Sequence, residues 1–336
     1  MPTLPDALDA AVRPFFAADG PGGAVLVVDD GRVAYRGAFG LADLSARTPV
    51  TAQTAFDLAS VSKQFTAVGA LILARRGLLS FDDDLRRHLP DWPCHDERRP
   101  IRLRDLLHHT SGVPDYSSVW RGPRRDARLG NADYLHKLRR FPLDFPTGSR
   151  EGYSNSNYIL LAEVLSRATG IRFRAFVEET IFRPLGMQNS WVHDEHGLPI
   201  RKRARGYQAG WLGRWKKSDL PIVLVGHSHL FTTLEDMALW VQSLHGHRLV
   251  TPDELALAWT PGALDSGEPH ANGFGWYLEE RAGRRAVVHG GSWYGFANYT
   301  CHFAAERVAV VVLSNNESLD AAAVVDAVAG AYFRQR

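Results

Sequence analysis

Ser60-Val61-Ser62-Lys63 places a hydroxyl and an amine three residues apart at the start of a segment with helical patterning. On a helix, residues i and i+3 share a face, so the Lys63 amine reaches the Ser60 hydroxyl. A serine becomes a nucleophile only when a neighbouring base takes its proton. A lysine serves as that base where burial depresses its pKa, because desolvation disfavours the charged form. Phe65, Val68 and Leu71 supply apolar surroundings of that kind. This is the only Ser-x-x-Lys in a chain with 19 serines and five lysines, although chance alone gives about a quarter of one such pair. The competing reading is Ser60 as a helix cap, with Lys63 running its stem along the surface to water.

Two further groupings carry polar chemistry. Tyr153-Ser154-Asn155 sits in a loop ahead of a helix. A tyrosine there relays a proton if a nearby cation holds its pKa down, and the Asn155 amide offers both a donor and an acceptor to a substrate amide. Taken alone, the segment reads better as a turn with an ordinary core aromatic. His289-Gly290-Gly291 follows a β-branched run. Paired glycines after a strand let a substrate backbone come close, and His289 is placed to hold Tyr153 or a substrate group. The plain alternative is a hairpin turn with an exposed histidine.

The elements that must position these residues fall into three blocks. Residues 5–17 read as a short helix, followed by a hairpin of Gly23–Val28 and Arg32–Gly40 around Asp29-Asp30-Gly31. A helix apolar on nearly every face runs from about Val61 to Arg76 and is expected to be buried. From 80 to 190 the chain reads as helices and loops, including Leu103–His108 and Tyr158–Thr169, the latter stopped by Gly170. Thr233 caps another helix with Glu235 and Asp236 in its first turn. Four runs, Gly275–Glu279, Ala286–His289, Phe296–Phe303 and Arg307–Leu313, spell an antiparallel meander, and a helix over 319–334 closes the chain. With strands at both ends and helices between, the simplest fold class is α/β plus all-α: an antiparallel sheet built from both chain ends, with a helical sub-domain inserted. We place the divisions at 1–78 and 220–336 for the α/β part and 79–219 for the mainly helical part.

The chain has 336 residues, 45% apolar and 23% charged, with a net charge of +2. These values exclude disorder and give no field that would attract nucleic acid. The runs Arg121–Arg125 and Arg201-Lys202-Arg203 read as solvated loops. Cys94 and Cys301 are in no metal-ligand spacing. No apolar run reaches the roughly 18 residues of a membrane span, and the start lacks the pattern of a secretory signal. A soluble protein is the expectation, cytoplasmic if this is the native start and periplasmic or secreted if a signal was removed. No Gly-x-Ser-x-Gly elbow, His-Glu-x-x-His helix or phosphate loop occurs.

Leu58-Ala-Ser-Val-Ser-Lys-Gln-Phe-Thr-Ala67, Tyr153-Ser-Asn155 and His289-Gly-Gly291, in that order, resemble the three active-site motifs of the serine β-lactamase and penicillin-binding-protein superfamily. The similarity is to its class C-like branch, which includes esterases and D-amino acid peptidases. Leu106–Tyr116, Phe182–Met187 and Phe231–Ala238 add familial stretches, so the resemblance covers about residues 10–335. It implies acylation of Ser60, proton transfers shared by Lys63 and Tyr153, and a substrate amide held by Asn155. It also implies an oxyanion hole from the N–H groups of Ser60 and Ser292, beside Gly291.

The chain departs from that pattern twice. The third motif starts with His289 where β-lactamases usually carry lysine, which points toward esterase or D-aminopeptidase members. Gly226-His227-Ser228-His229 stands where relatives carry small residues. Two histidines at i and i+2 make a weak ligand set, so pocket lining is preferred to a metal. The resulting expectation is a serine hydrolase acting on a small ester, D-amino acid peptide or β-lactam, with no cofactor, no metal and no nucleic-acid partner. Trp293 and Tyr294 are expected to line an apolar acyl pocket. The alternative is a non-catalytic penicillin-binding or sensor domain that recognises cell-wall fragments.

Overall fold

The computed structural model of the protein describes residues 3–119, 130–218 and 222–336. The Arg121–Arg125 run lies outside the described residues. A six-stranded antiparallel sheet runs through the molecule in the order β3-β4-β5-β6-β1-β2. Its strands are β1 (Gly23–Asp29), β2 (Arg32–Phe39), β3 (Tyr277–Arg281), β4 (Arg284–Trp293), β5 (Phe296–Phe303) and β6 (Val308–Ser314). β1 pairs with β6 from Gly23↔Ser314 to Asp29↔Val308, which joins the N-terminal hairpin to the C-terminal meander. The sheet expected from both chain ends is therefore the one observed.

Both faces of this sheet are covered, which explains why β1 and β6 read as continuous apolar runs rather than alternating ones. Val25, Val27, Val308, Val310 and Val312 face the terminal helices α1 (Leu4–Val12) and α5 (Ala321–Phe333). Ala24, Leu26, Val28, Ala309, Val311 and Leu313 face the opposite core, which also holds α2 (Lys63–Arg75), α3 (Asn155–Thr169) and α4 (Leu234–His245). α2 is buried from Lys63 to Leu73, as its all-round apolar pattern demands. α4 starts as read, with the Thr233 hydroxyl accepting the Asp236 N–H.

Between the two ends, the elements among the described residues from Leu85 to Leu185 are all helical, in short pieces around α3. The 79–219 stretch also contains small strands at Trp191–Val192, Gly206–Ala209 and Trp215–Ser218. Tyr207 donates its N–H to Asn315 O at 3.0 Å, so the chain is back against the main sheet before residue 219. In the Arg201-Lys202-Arg203 run the first two residues are exposed. The Arg203 guanidinium instead lies 5.0 Å from the Phe231 ring centre, so the run is only partly solvated. Cys94 is exposed and Cys301 buried, both as free thiols. Among the described residues no helix is long and apolar enough to cross a membrane.

Candidate active site

The short strand Phe56–Asp57 pairs with Leu230–Thr232, and the chain then tightens into a 3-10 turn, Ala59–Ser62, that runs straight into α2. Ala59 has φ +49°, a left-handed conformation that costs a residue with a β-carbon about 1 kcal/mol or more. The Asp57 carboxylate holds the bend by accepting the Ala59 N–H at 2.9 Å. Asn298 on β5 braces it further, donating from Nδ2 to Asp57 O at 2.9 Å. The Ser60 hydroxyl caps nothing, and Lys63 is 0% exposed. The cap-and-surface-lysine reading therefore does not describe this turn.

Lys63 Nζ lies 3.0 Å from Ser60 Oγ, 2.8 Å from Asn155 Oδ1 and 3.1 Å from the His227 carbonyl oxygen. The Tyr153 hydroxyl lies 2.9 Å from Ser60 Oγ and 3.3 Å from Asn155 Oδ1. Ser60, Lys63, Tyr153 and Asn155, which come from two distant sequence segments, thus form one hydrogen-bonded cluster.

α3 begins at Asn155 rather than near Tyr158, because tertiary partners recruit the polar run Asn155-Ser156-Asn157 as its first turn. Ser156 Oγ donates to Pro114 O at 2.6 Å, Ser111 Oγ donates to Asn157 Oδ1 at 2.6 Å, and Asn157 Nδ2 meets His109 Nδ1 at 3.1 Å. The Asn155 N–H, an unpaired donor at a helix start, is accepted by Asp115 Oδ2 at 2.7 Å; the same oxygen accepts Asn155 Nδ2 at 3.0 Å. Both ends of the amide that was expected to hold substrate are therefore engaged within the protein. The Tyr153 ring rests on His109, with centroids 4.6 Å apart. Tyr153 is 39% exposed, yet its hydroxyl is turned inward to Ser60.

His109, Asp115 and the His227 carbonyl were not singled out from the sequence. The first two lie inside the Leu106–Tyr116 stretch, where polar residues and Gly112 interrupt any apolar period, and that interruption was the available signal. The part played by a backbone carbonyl had none.

His289-Gly290-Gly291 is not the end of a strand or a hairpin turn. β4 continues through it to Trp293, and the chain reverses at Tyr294 and Gly295, both with positive φ. β3 stops pairing at Tyr277↔Val288, so β4 beyond Val288 has β5 on one side and, among the described residues, no strand on the other. A β-carbon on Gly291 would sit 2.4 Å from Leu58 O and 3.1 Å from Ser60 N. The glycine therefore lets β4 press against the Ser60 turn, a different role from admitting a substrate backbone. Ser292 follows, exposed on that free edge. His289 does not hold Tyr153. It is buried, with Nδ1 2.6 Å from Gly290 O and its ring against Tyr277.

Burial governs the charges. It holds the Lys63 amine well below its ordinary pKa, opposed by the Asp115 carboxylate. It pushes the Tyr153 phenol upward, opposed by the hydrogen bond to Ser60. Burial, with the nearby Lys63 amine adding to it, drives His289 down to about 3 and His109 and His227 well below 6.5. Burial thus shifts both Lys63 and Tyr153 toward their neutral forms. The expectation that a cation lowers the Tyr153 pKa is thus reversed.

Trp293 packs edge-on against Tyr116 and His227 at 5.4 and 5.9 Å, and Tyr294 packs edge-on against it at 4.5 Å. His227 and His229 are both buried, with ring centres 6.3 Å apart. Among the described residues no group of three His, Cys, Asp or Glu side chains is arranged to hold a metal.

The Beta-lactamase family model matches residues 8–333. Penicillin-binding protein 4* of Bacillus subtilis (strain 168) is 29% identical over 313 residues, spanning 88% of this chain and 68% of that protein. A D-aminopeptidase of Gluconobacter oxydans (strain 621H) is 32% identical over 317 residues, spanning 93% of this chain. The chain corresponds to only 59% of that enzyme's length. The crystal structure of a penicillin binding protein from Bacillus halodurans superposes with a TM-score of 0.80 at 29% identity, covering 96% of this chain and 98% of that one. With its β-lactamase/transpeptidase-like fold, the chain belongs to the Beta-lactamase family.

Proposed function

We propose that the protein is a serine hydrolase that cleaves an amide or ester bond of a small substrate through an acyl-Ser60 intermediate. A D-amino acid amide or short peptide is the preferred class. One observation carries the reading: the Lys63 amine is buried 3.0 Å from Ser60 Oγ with carbonyl oxygens of Asn155 and His227 on its other sides. A neutral amine has two N–H groups and one lone pair. The two carbonyl oxygens take the N–H groups, which leaves the lone pair for the Ser60 proton.

Acylation then follows from the geometry. Ser60 Oγ attacks the carbonyl carbon as its proton passes to Lys63. The tetrahedral oxyanion is received by the N–H groups of Ser60 and Ser292, whose segments Gly291 holds in contact. Donors aimed at charge that exists only in the transition state are each worth on the order of 10²-fold or more in rate. The Tyr153 hydroxyl, 2.9 Å from Ser60 Oγ, hands a proton to the leaving group and is resupplied from Lys63. Water then attacks the acyl-Ser60 ester by the same route in reverse. The free edge of β4 beyond Val288 supports an extended substrate backbone lying beside Ser292. Tyr116, His227 and Trp293 provide an apolar wall for the acyl side chain.

The amide preference rests on two points. The D-aminopeptidase relative is named for such an activity, and the neutral His289 offers no cation to a substrate carboxylate. In the same reading, 79–219 is the inserted unit that carries Tyr153 and Asn155 to the sheet-borne Ser60 turn. A panel of D- and L-amino acid p-nitroanilides, p-nitrophenyl esters and nitrocefin tests the assignment. Turnover fastest on D-amino acid anilides is expected. Nitrocefin hydrolysis alone would overturn the preference, and no turnover of any member would overturn the activity.

A further inference from the structure

We propose that Asp115 is a positioning residue that orients the Asn155 amide so that the Lys63 lone pair stays free for the Ser60 proton. The proposal rests on the acyl-Ser60 reading and extends it to a residue outside the three motifs. Asp115 precedes the short helix Tyr116–Val119. Its Oδ1 accepts the Ser117 N–H at 3.0 Å, which fixes the carboxylate locally. Its Oδ2 accepts from Asn155 N at 2.7 Å and from Asn155 Nδ2 at 3.0 Å.

A carboxylate only accepts hydrogen bonds, so the end of the Asn155 amide that faces it is the NH2 group. The oxygen is thereby directed at Lys63 Nζ, 2.8 Å away, and at the Tyr153 hydroxyl. The consequence for the amine is stereochemical. With the oxygen facing it, Lys63 spends an N–H on Asn155 and keeps its lone pair. With the amide turned over, the NH2 group would donate into that lone pair in competition with Ser60, and the amide oxygen would confront the Asp115 carboxylate. Asp115 forbids the second arrangement and permits the first.

The same carboxylate is the charge that favours the Lys63 ammonium against burial. The other titratable groups facing Lys63 are Tyr153 and Tyr158, whose rings lie 4.9 and 5.7 Å from Nζ, and the imidazoles of His109, His227 and His289. Burial keeps all five neutral. Asp115 is thus both the orienting group and the charged one.

Asp115→Asn and Asp115→Ala separate these roles. The readouts are the second-order rate of fluorophosphonate labelling as a function of pH, and kcat and KM on p-nitrophenyl acetate. The carboxamide oxygen that Asp115→Asn leaves in place still accepts from Asn155, so in this variant labelling near neutral pH stays within about threefold while the acid limb moves down by about one pH unit. Asp115→Ala frees the amide and lowers kcat on the order of 10²-fold with KM changed far less. Recovery of most of that loss by Asp115→Asn is the mark of positioning. Either of two results overturns the proposal, wherever the limb falls: both variants matching the native rate, or Asp115→Asn as slow as Asp115→Ala. If Asp115→Ala does not fold by circular dichroism, Asp115→Leu, which also lacks an acceptor, takes its place in the comparison with Asp115→Asn. Labelling that survives in Ser60→Ala would sink the underlying reading instead; labelling lost there but indifferent to Asp115 would sink only this proposal.

Discussion

Gly291 on β4 and Ser60 at the head of α2 touch backbone to backbone: a β-carbon on Gly291 would lie 3.1 Å from Ser60 N and 2.4 Å from Leu58 O. Neither atom belongs to a flexible side chain that could swing aside, so the nucleophile turn and the sheet edge are locked together at that point. Gly291→Ala must separate them and misplace the two proposed oxyanion donors, lowering kcat on the order of 10²-fold. Gly290→Ala is the control. Its β-carbon would meet the Tyr299 ring at 3.3 Å and no backbone closer than 4.0 Å, and a loss below about tenfold is expected because a ring edge yields more readily than backbone. Steady-state kinetics on p-nitrophenyl acetate, with unfolding midpoints for both variants, checks the contrast.

Replacing Lys63 should divide activity from stability. Lys63→Met keeps a long apolar stem in the buried site and removes the base, so kcat/KM falls by about 10²–10⁴. The stability effect runs the other way. Burial holds the amine's pKa in the folded chain well below its unfolded value, so the unfolded chain binds the proton more readily and folding is disfavoured below the unfolded lysine pKa. Methionine removes that penalty, and thermal unfolding of Lys63→Met at pH 7 is expected above that of the native protein. A lowered midpoint would contradict the buried neutral amine.

Stability should fall as pH drops below about 6.5, the unperturbed histidine value. Burial depresses His229 and His289 to about 3 and His108 and His245 to about 4, and drives His109, His227 and His302 well down. Between those values and 6.5 the unfolded chain binds protons that the folded chain does not, so stability is present above 6.5 and lost on acidification. Asp57 opposes this. Burial raises its carboxyl to about 6, so its own contribution favours the fold at acid pH and is lost as pH rises through 6. The histidines outnumber it, and a net decline in chemical-denaturation midpoints from pH 7 to pH 5 is expected. His289→Gln should shallow that slope, and Asp57→Asn should steepen it while raising stability at pH 7.

The order of elements was legible because apolar runs and turn residues mark both sheet blocks and the helices α2, α4 and α5. The same patterns misled at two places that matter for the site. Asn155-Ser156-Asn157 carries no apolar period, and it is helical because Pro114, His109 and Asp115 satisfy it from 40 or so residues away. Gly290-Gly291 has the local signature of a turn, yet it is strand because β5 pairs with it and the Ser60 turn lies under it. Ser60, Lys63, Tyr153 and Asn155 were singled out from spacing and resemblance, and their side chains form one hydrogen-bonded cluster. Asp115 and the His227 carbonyl act through contacts between segments, which no local pattern encodes.

Covalent mapping of the nucleophile tests the central claim most directly. The protein is incubated with a fluorophosphonate, digested, and the modified peptide sequenced by mass spectrometry. The account predicts one adduct, on Ser60, absent from Ser60→Ala and formed at least about 10²-fold more slowly in Lys63→Ala. An adduct on another residue, or labelling of Lys63→Ala at the native rate, would contradict it.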